Sequence, residues 1–262
     1  MTRRESAAVR GRAGKNGAVP ATTAPPDRLS DGRPASPRWR VAEAVTDAVR
    51  RRFAKDVLAA GVHGALAHGD DTEYTDVDLV VVTFRAGAGP RPGSRRIDGV
   101  VVDLGVISTD EYEHHARTLS TSWPLAADQY LTTTPLYDPR GCFGQLRDTH
   151  LNRLAEASGR EFAALARAAW CEAKILQNRA ARLAEWYDTD GAVLVLGEAR
   201  TATAVVEGLL NRTYFTGSAD AVTRAGLTEA GIGDIRDRLD AQATELAKRG
   251  RPVDGTVSDL FS

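Results

Sequence analysis

Residues Gly64 to Asp78 read GALAHGDDTEYTDVD, and Leu79-Val80-Val81-Val82-Thr83 follow directly. The β-branched run predicts a strand over Asp76–Thr83, with the valines and Leu79 in a core. Gly61-Val62-His63-Gly64-Ala65-Leu66 predicts a shorter strand running into a turn, and Asp70-Asp71-Thr72 a polar turn between the two. Residues two apart on a strand point to the same face, so Asp76 and Asp78 aim together while Val77 faces away. Two carboxylates this close repel one another unless a cation neutralises them, and hard oxygen donors suit Mg²⁺.

Downstream, residues 85–96 are rich in Gly, Pro and Arg and are expected to form a hairpin-like loop. GVVVDLGVIS, Gly99 to Ser108, predicts another strand. Asp103 interrupts its apolar run, and a charge there needs a partner. If this strand lies beside the first, three acids share one face beneath a glycine turn. Such a turn can cradle a triphosphate with its backbone N–H groups, and the acids can hold the metal that phosphoryl transfer uses. A lone pair of acids at this spacing is more often a strand start and a solvent-facing residue. The glycine turn and the third acid favour a site. Thr109-Asp110-Glu111-Tyr112 then predicts a helix start capped by Thr109 or Asp110.

Upstream, Val41, Val45, Val49, Phe53 and Val57 recur every fourth residue, predicting an amphipathic helix from about Trp39. Residues 1–38 carry almost no large apolar residue and are expected to be a disordered tail. Beyond about residue 145 the pattern becomes Ala, Leu, Arg and Glu at helical spacing, predicting helices over 159–187, 191–212 and 229–249. The chain therefore reads as α+β, with a domain of strands and helices over 39–145 and a helical domain over 146–262.

At 262 residues and 42% apolar, the chain has enough material for two small cores. A formal net charge of -1 argues against nucleic acid or a membrane surface as partner. The two cysteines, Cys142 and Cys171, form no disulfide framework and no CxxC metal site, which points to a reducing, cytoplasmic setting. Cys171 is expected to be buried in its helix. No apolar run reaches the roughly 18 residues of a membrane span. The five histidines lack metal-ligand spacing, and His114-His115 reads as a solvated helix surface. Trp123 fits equally a pocket wall or a core plug.

The stretch Gly64 to Asp78, then Val101 to Ser108, Ser122-Trp123-Pro124-Leu125, Gln129-Tyr130, Thr134-Pro135-Leu136-Tyr137-Asp138 and LLNRTYFTGSADAVTRA at Leu209 to Ala225 together resemble the kanamycin (aminoglycoside) nucleotidyltransferase family of the DNA polymerase β superfamily. The resemblance runs from about residue 40 to the C-terminus. It implies an N-terminal nucleotidyltransferase domain with a mixed β-sheet, then a helical bundle. It implies transfer of a nucleoside monophosphate, from ATP or another nucleoside triphosphate, to a hydroxyl of a small acceptor. It also implies homodimers, with the acceptor between the first domain of one subunit and the helical domain of the other.

Residue by residue, Asp76, Asp78 and Asp103 fall on the family's metal-binding acids and Glu172 on its general base. Gly64, Ala65 and His68 fall on the phosphate-holding turn, where the family has a serine at the position of Ala65 and an arginine at that of His68. The family lysine one helical turn after the base is replaced by Leu176, and Lys174, two residues after the base on a different face, is the candidate left to reach the phosphates. The loop between the acid strands carries Arg85, Arg91, Arg95 and Arg96 against Asp98, which would repel a polycationic acceptor. Two other readings stay open. One is a nucleotidyltransferase for a lincosamide, a biosynthetic sugar or a protein hydroxyl; the other is a degenerate module that binds nucleotide without turnover.

Overall fold

The computed structural model describes residues 36–261. The expected tail falls, up to residue 35, outside the described residues. Order starts earlier than Trp39: α1 (Pro37–Arg52) is capped by Ser36, whose side chain accepts from the Trp39 amide, with proline in the first turn. The helix stops at Arg52, so the every-fourth pattern overreaches. Val57 opens strand β1 (Val57–His63), where five of seven positions are buried.

Instead of continuing as a strand to Leu66, the chain turns at Gly64 (φ +69°) into a one-turn helix, α2 (Gly64–His68). β2 (Val77–Thr83) follows, with Asp76 immediately before it. Residues 85–96 are not all loop: β3 (Gly93–Ile97) forms a hairpin with β4 (Val100–Ser108) across Asp98-Gly99, both at positive φ. In α3 (Thr109–Arg117) the cap is Ser108 rather than Thr109 or Asp110. Its hydroxyl accepts from the Glu111 amide while the Glu111 carboxylate accepts from Ser108, a reciprocal capping box.

Two short helices, α4 (Trp123–Ala126) and α5 (Asp128–Thr132), lead to β5 (Thr134–Tyr137) and α6 (Cys142–Glu156). Among the described residues the strands form one mixed five-stranded sheet in the order β3-β4-β2-β1-β5. β2 and β4 are parallel, and the other neighbours are antiparallel. On one face Val80 and Val82 pack with Tyr112, Ala116, Tyr130, Phe143 and Leu146 from α3, α5 and α6. On the other face Val77, Leu79 and Val81 are buried, and α1 packs on strands β1, β2, β4 and β5. A strand covered on both sides reads as an unbroken aliphatic run, which is why β2 was so legible.

The helical half comprises α7 (Gly159–Glu185), α8 (Thr189–Asn211), α9 (Ser218–Arg224) and α10 (Ile232–Lys248), closed by a 3₁₀ turn over Val257–Leu260. Ala166, Ala169, Ala173 and Ala199 lie at the buried seam of α7 and α8, where small side chains let helices approach closely. Trp123 lies in this core at 4% exposure, edge-on to Phe162. It is a plug, not a pocket wall. Its indole N–H donates to His150 Nε2 (3.2 Å), and His150 Nδ1 donates to the Ala116 carbonyl (2.8 Å), tying α4, α6 and α3 together. α6 spans position 145 and packs on the sheet side.

Candidate active site

Strand register assembles the site. Ser94 of β3 stands opposite Asp103 of β4, Asp103 opposite Asp78 of β2, and Asp78 opposite His63 of β1. Residues opposite one another share a face, so Ser94, Asp103, Asp78 and His63 form a row across four strands. Asp76, two residues before Asp78, belongs to the same side. This is the face that packs deeper down on α3, α5 and α6, and the row sits where β2 begins.

Asp78 is half-buried, while Asp76 and Asp103 are exposed. Burial raises the Asp78 carboxyl above its ordinary range. His63 opposes that effect, and the like charges of Asp76 and Asp103 add to it. Gly64 makes room for this carboxylate: a Cβ built there would lie 2.7 Å from Asp78 Oδ2. Ser94 Oγ donates to Asp103 Oδ1 at 2.7 Å.

The donor set fits a hard divalent cation in kind: carboxylate oxygens on one face, mutually repelling, beneath a glycine whose missing Cβ makes room for the Asp78 carboxylate. In the rotamers present, no group of three or more His, Cys, Asp or Glu side chains converges closely enough to hold a metal among the described residues. Asp103 is instead engaged by Ser94.

Around the turn, Ala65 is exposed and carries no donor. His68 ends α2, and its Nε2 donates to Asp128 Oδ2 at 2.9 Å, so that nitrogen is committed to a buried acid of α5. Glu172 lies on the exposed side of α7, and Lys174 is half-buried on the same helix. Neither side chain makes a hydrogen bond or ion pair among the described residues. α7 packs against α8 and α10, so the acids and Glu172 belong to different packing layers of the chain. Cys171, expected to be buried, is exposed beside Glu172, because both face away from the alanine seam.

The arginine-rich segment is not remote from the acids. Arg96, opposite Val101, is on the acid face, and Arg95, opposite Val102, is on the reverse. His114 and His115 are exposed on α3 as expected. Two members of the row, His63 and Ser94, escape a reading by motif. Asp98-Gly99 was the available signal for the hairpin that carries Ser94, whereas His63 emerges only from register.

No helix among the described residues is long and apolar enough to cross a membrane. No protein-family model matches the chain. Over 112 residues it is 22% identical to the Aminoglycoside nucleotidyltransferase (4') of Staphylococcus aureus, covering 43% of this chain and 44% of that protein. The protein of the same description from a Bacillus species matches with the same figures. The chain thus spans less than half the length of these curated relatives. Among solved structures, a nucleotidyltransferase-like protein from Exiguobacterium sibiricum 255-15 aligns with a TM-score of 0.40 and 13% identity, covering 79% of this chain and 75% of that one. The sequence similarity, distant as it is, is to nucleotidyltransferases.

Proposed function

We propose that this protein is a Mg²⁺-dependent nucleotidyltransferase that moves a nucleoside monophosphate, AMP from ATP in the first instance, onto a hydroxyl of a small aminoglycoside-type acceptor. The observation that carries the reading is the in-register placement of Asp78 and Asp103 on adjacent parallel strands, with Asp76 on the same side and Gly64 hollowing the space above Asp78. The distant similarity to aminoglycoside nucleotidyltransferases supports the class of donor and acceptor.

In this reading Asp76, Asp78 and Asp103 hold the cation, which when bound offsets the charge of the triphosphate and of the departing pyrophosphate. The backbone at Gly64 and Ala65 lines the phosphates. His68 is held by Asp128 beside them, and Lys174 offers a further cation. Glu172 takes the proton of the acceptor hydroxyl as its oxygen attacks the α-phosphorus and the bond to pyrophosphate breaks. Because Glu172 stands on a helix packed away from the sheet, we place it in the site of a second copy, so that a homodimer completes each centre. Residues 39–145 then serve as the donor-binding half and 146–262 as the acceptor-binding half.

The arrangement of Arg96 on the acid face favours a second acceptor class, less cationic than an aminoglycoside, such as a sugar or lincosamide hydroxyl. A pyrophosphate-release screen of several nucleoside triphosphates against both acceptor classes tests the proposal. Release that requires Mg²⁺, a triphosphate and an acceptor supports it. Absence of release with every pairing, from folded protein, refutes it.

A further inference from the structure

We infer that the exposed face at the tip of the α7–α8 hairpin is the surface through which two copies of this chain pair. Trp186 and Tyr187 form the turn between the helices, Val193 and Leu194 lie in the second turn of α8, and Ile175 stands on the outward side of α7. All five are between 65% and 93% exposed. Side chains of this size, so open, together present on the order of 600 Å² of apolar surface. A monomer ordinarily leaves apolar side chains scattered singly or in patches no larger than that, whereas each partner of a standard interface covers about 800 Å². The hairpin's own packing does not use these residues, because the alanine seam that joins α7 to α8 runs along the opposite sides of both helices.

The surrounding charges select the partner. Arg179 and Arg182 stand on the exposed side of α7, one and two turns beyond Ile175. Asp190 and Glu198 stand on the exposed side of α8, before and after Val193 and Leu194. Arg182 stacks over Trp186, and Arg179, Asp190 and Glu198 have no ion-pair partner among the described residues. A two-fold pair brings the same patch of both copies together, so that each contact between two different residues occurs twice. The basic stripe of one α7 then meets the acidic stripe of the other copy's α8, on either side of an apolar centre. A face with both signs in separate stripes is complementary to itself. It is not complementary to an anionic lipid surface, which Glu185, Asp188 and Asp190 at the tip repel. Nor does it suit a uniformly acidic or basic partner, since attraction to one stripe is opposed by the other. Glu172 stands one helical turn before Ile175 and is likewise exposed, so pairing here sets it beside the second copy. That consequence alone rests on the role proposed above for Glu172; the pairing does not.

The test measures self-association of the full chain by analytical ultracentrifugation over a range of concentrations, with circular dichroism to confirm folding. The wild type is expected to be a dimer. Leu194→Asp, which puts a charge in the apolar centre, should weaken that dimer by about 10- to 100-fold. Tyr74→Ser, at an apolar side chain just as exposed but on the loop before β2, should leave it unchanged. Two further variants test the charges: Arg179→Glu with Arg182→Glu, and Asp190→Lys with Glu198→Lys. Each alone should fail to self-associate, because both of its stripes then carry one sign. Mixed in equal amounts they should form a dimer, since every basic stripe then meets an acidic one. A monomeric wild type, a dimer that Leu194→Asp leaves intact, or charge variants that fail to pair when mixed would each overturn the inference. None of these measurements involves nucleotide transfer. A chain that pairs through this face and transfers no nucleotide therefore refutes the function proposed above and leaves the interface standing.

Discussion

Asp78 and Asp103 stand directly opposite each other on adjacent parallel strands, so two carboxylates share one face, with His63 of the neighbouring strand opposite Asp78 on its other side. The Asp78 carboxyl is raised above its unfolded range, chiefly by burial. Such a group favours the fold while protonated, and that advantage is lost as pH rises through the folded-state pKa. Ionising this acid is therefore a cost to the fold. Asp78→Asn should melt at the same or a higher temperature than wild type at pH 7, with the difference vanishing below the ordinary aspartate range. Mg²⁺ should raise the melting temperature of the wild type and leave that of Asp78→Asn unmoved. Scanning calorimetry over pH, with and without Mg²⁺, checks both.

Gly64 is required twice, by its φ of +69° and by the 2.7 Å separation that a Cβ would have from Asp78 Oδ2. Gly64→Ala should destabilise by more than about 1 kcal/mol and abolish Mg²⁺-dependent stabilisation. Gly69 provides the control, with φ of +79° and nothing within 4 Å of a built Cβ. Gly69→Ala should incur the backbone strain and keep the response to Mg²⁺. Loss of that response in both variants would show that strain in α2, not displacement of Asp78, disables the site.

His150 is fully buried and bonded at both ring nitrogens, accepting from Trp123 and donating to the Ala116 carbonyl. Burial lowers its pKa, Arg153 adds to that, and the Ala116 bond opposes it. A histidine so depressed contributes stability that is present above its unfolded pKa and is lost as pH falls through the lower, folded-state value. His150→Phe should cost about 1–3 kcal/mol at pH 8, because it leaves the Trp123 indole N–H and the Ala116 carbonyl unpaired. It should also flatten the loss of stability on acidification. Urea unfolding at several pH values measures both effects, and an unchanged acid slope would remove His150 from the account.

The strand that decides the fold was readable because β2 is buried on both faces, and Leu79 to Val82 admit no other use. The long helices were readable because the alanine seam of α7 and α8 repeats at helical spacing. What escaped has physical reasons. Val57 fits the helical spacing of α1, but the helix ends at Arg52 and Val57 pairs with Thr83. β3 is nearly all exposed, so it lacks the alternation that betrays a strand. α6 carries weak amphipathic contrast between Cys142 and Glu156 and was absorbed into the domain boundary. Asp76 and Asp78 were legible as a pair because i, i+2 spacing needs no register, and Asp103 because it interrupts an apolar run. His63 and Ser94 were not, because their place beside the acids exists only after the sheet has paired. Similarly, the commitment of His68 to Asp128, 60 positions away, left no trace in local sequence.

Glu172→Gln should lower turnover by on the order of 10²–10⁴-fold while Mn²⁺ and nucleotide binding persist. If each centre draws its acids and its base from different copies, co-expressed Asp78→Asn and Glu172→Gln subunits should recover activity in mixed dimers, since one of the two centres is then intact. Stable mixed dimers that stay inactive would put Glu172 and the acids to work within one chain, or remove Glu172 from the chemistry.

The central claim is transfer of a nucleoside monophosphate governed by the acid row, and the mass of the acceptor after reaction tests it most directly. Wild-type protein incubated with ATP, Mg²⁺ and a hydroxylated aminoglycoside should yield acceptor heavier by one AMP unit, with one pyrophosphate released per product. Asp78→Asn, folded to the same extent, should yield none. An acceptor left unmodified by the wild type across the panel of triphosphates and acceptors, or a nucleotidylated product formed equally by Asp78→Asn, would contradict the account.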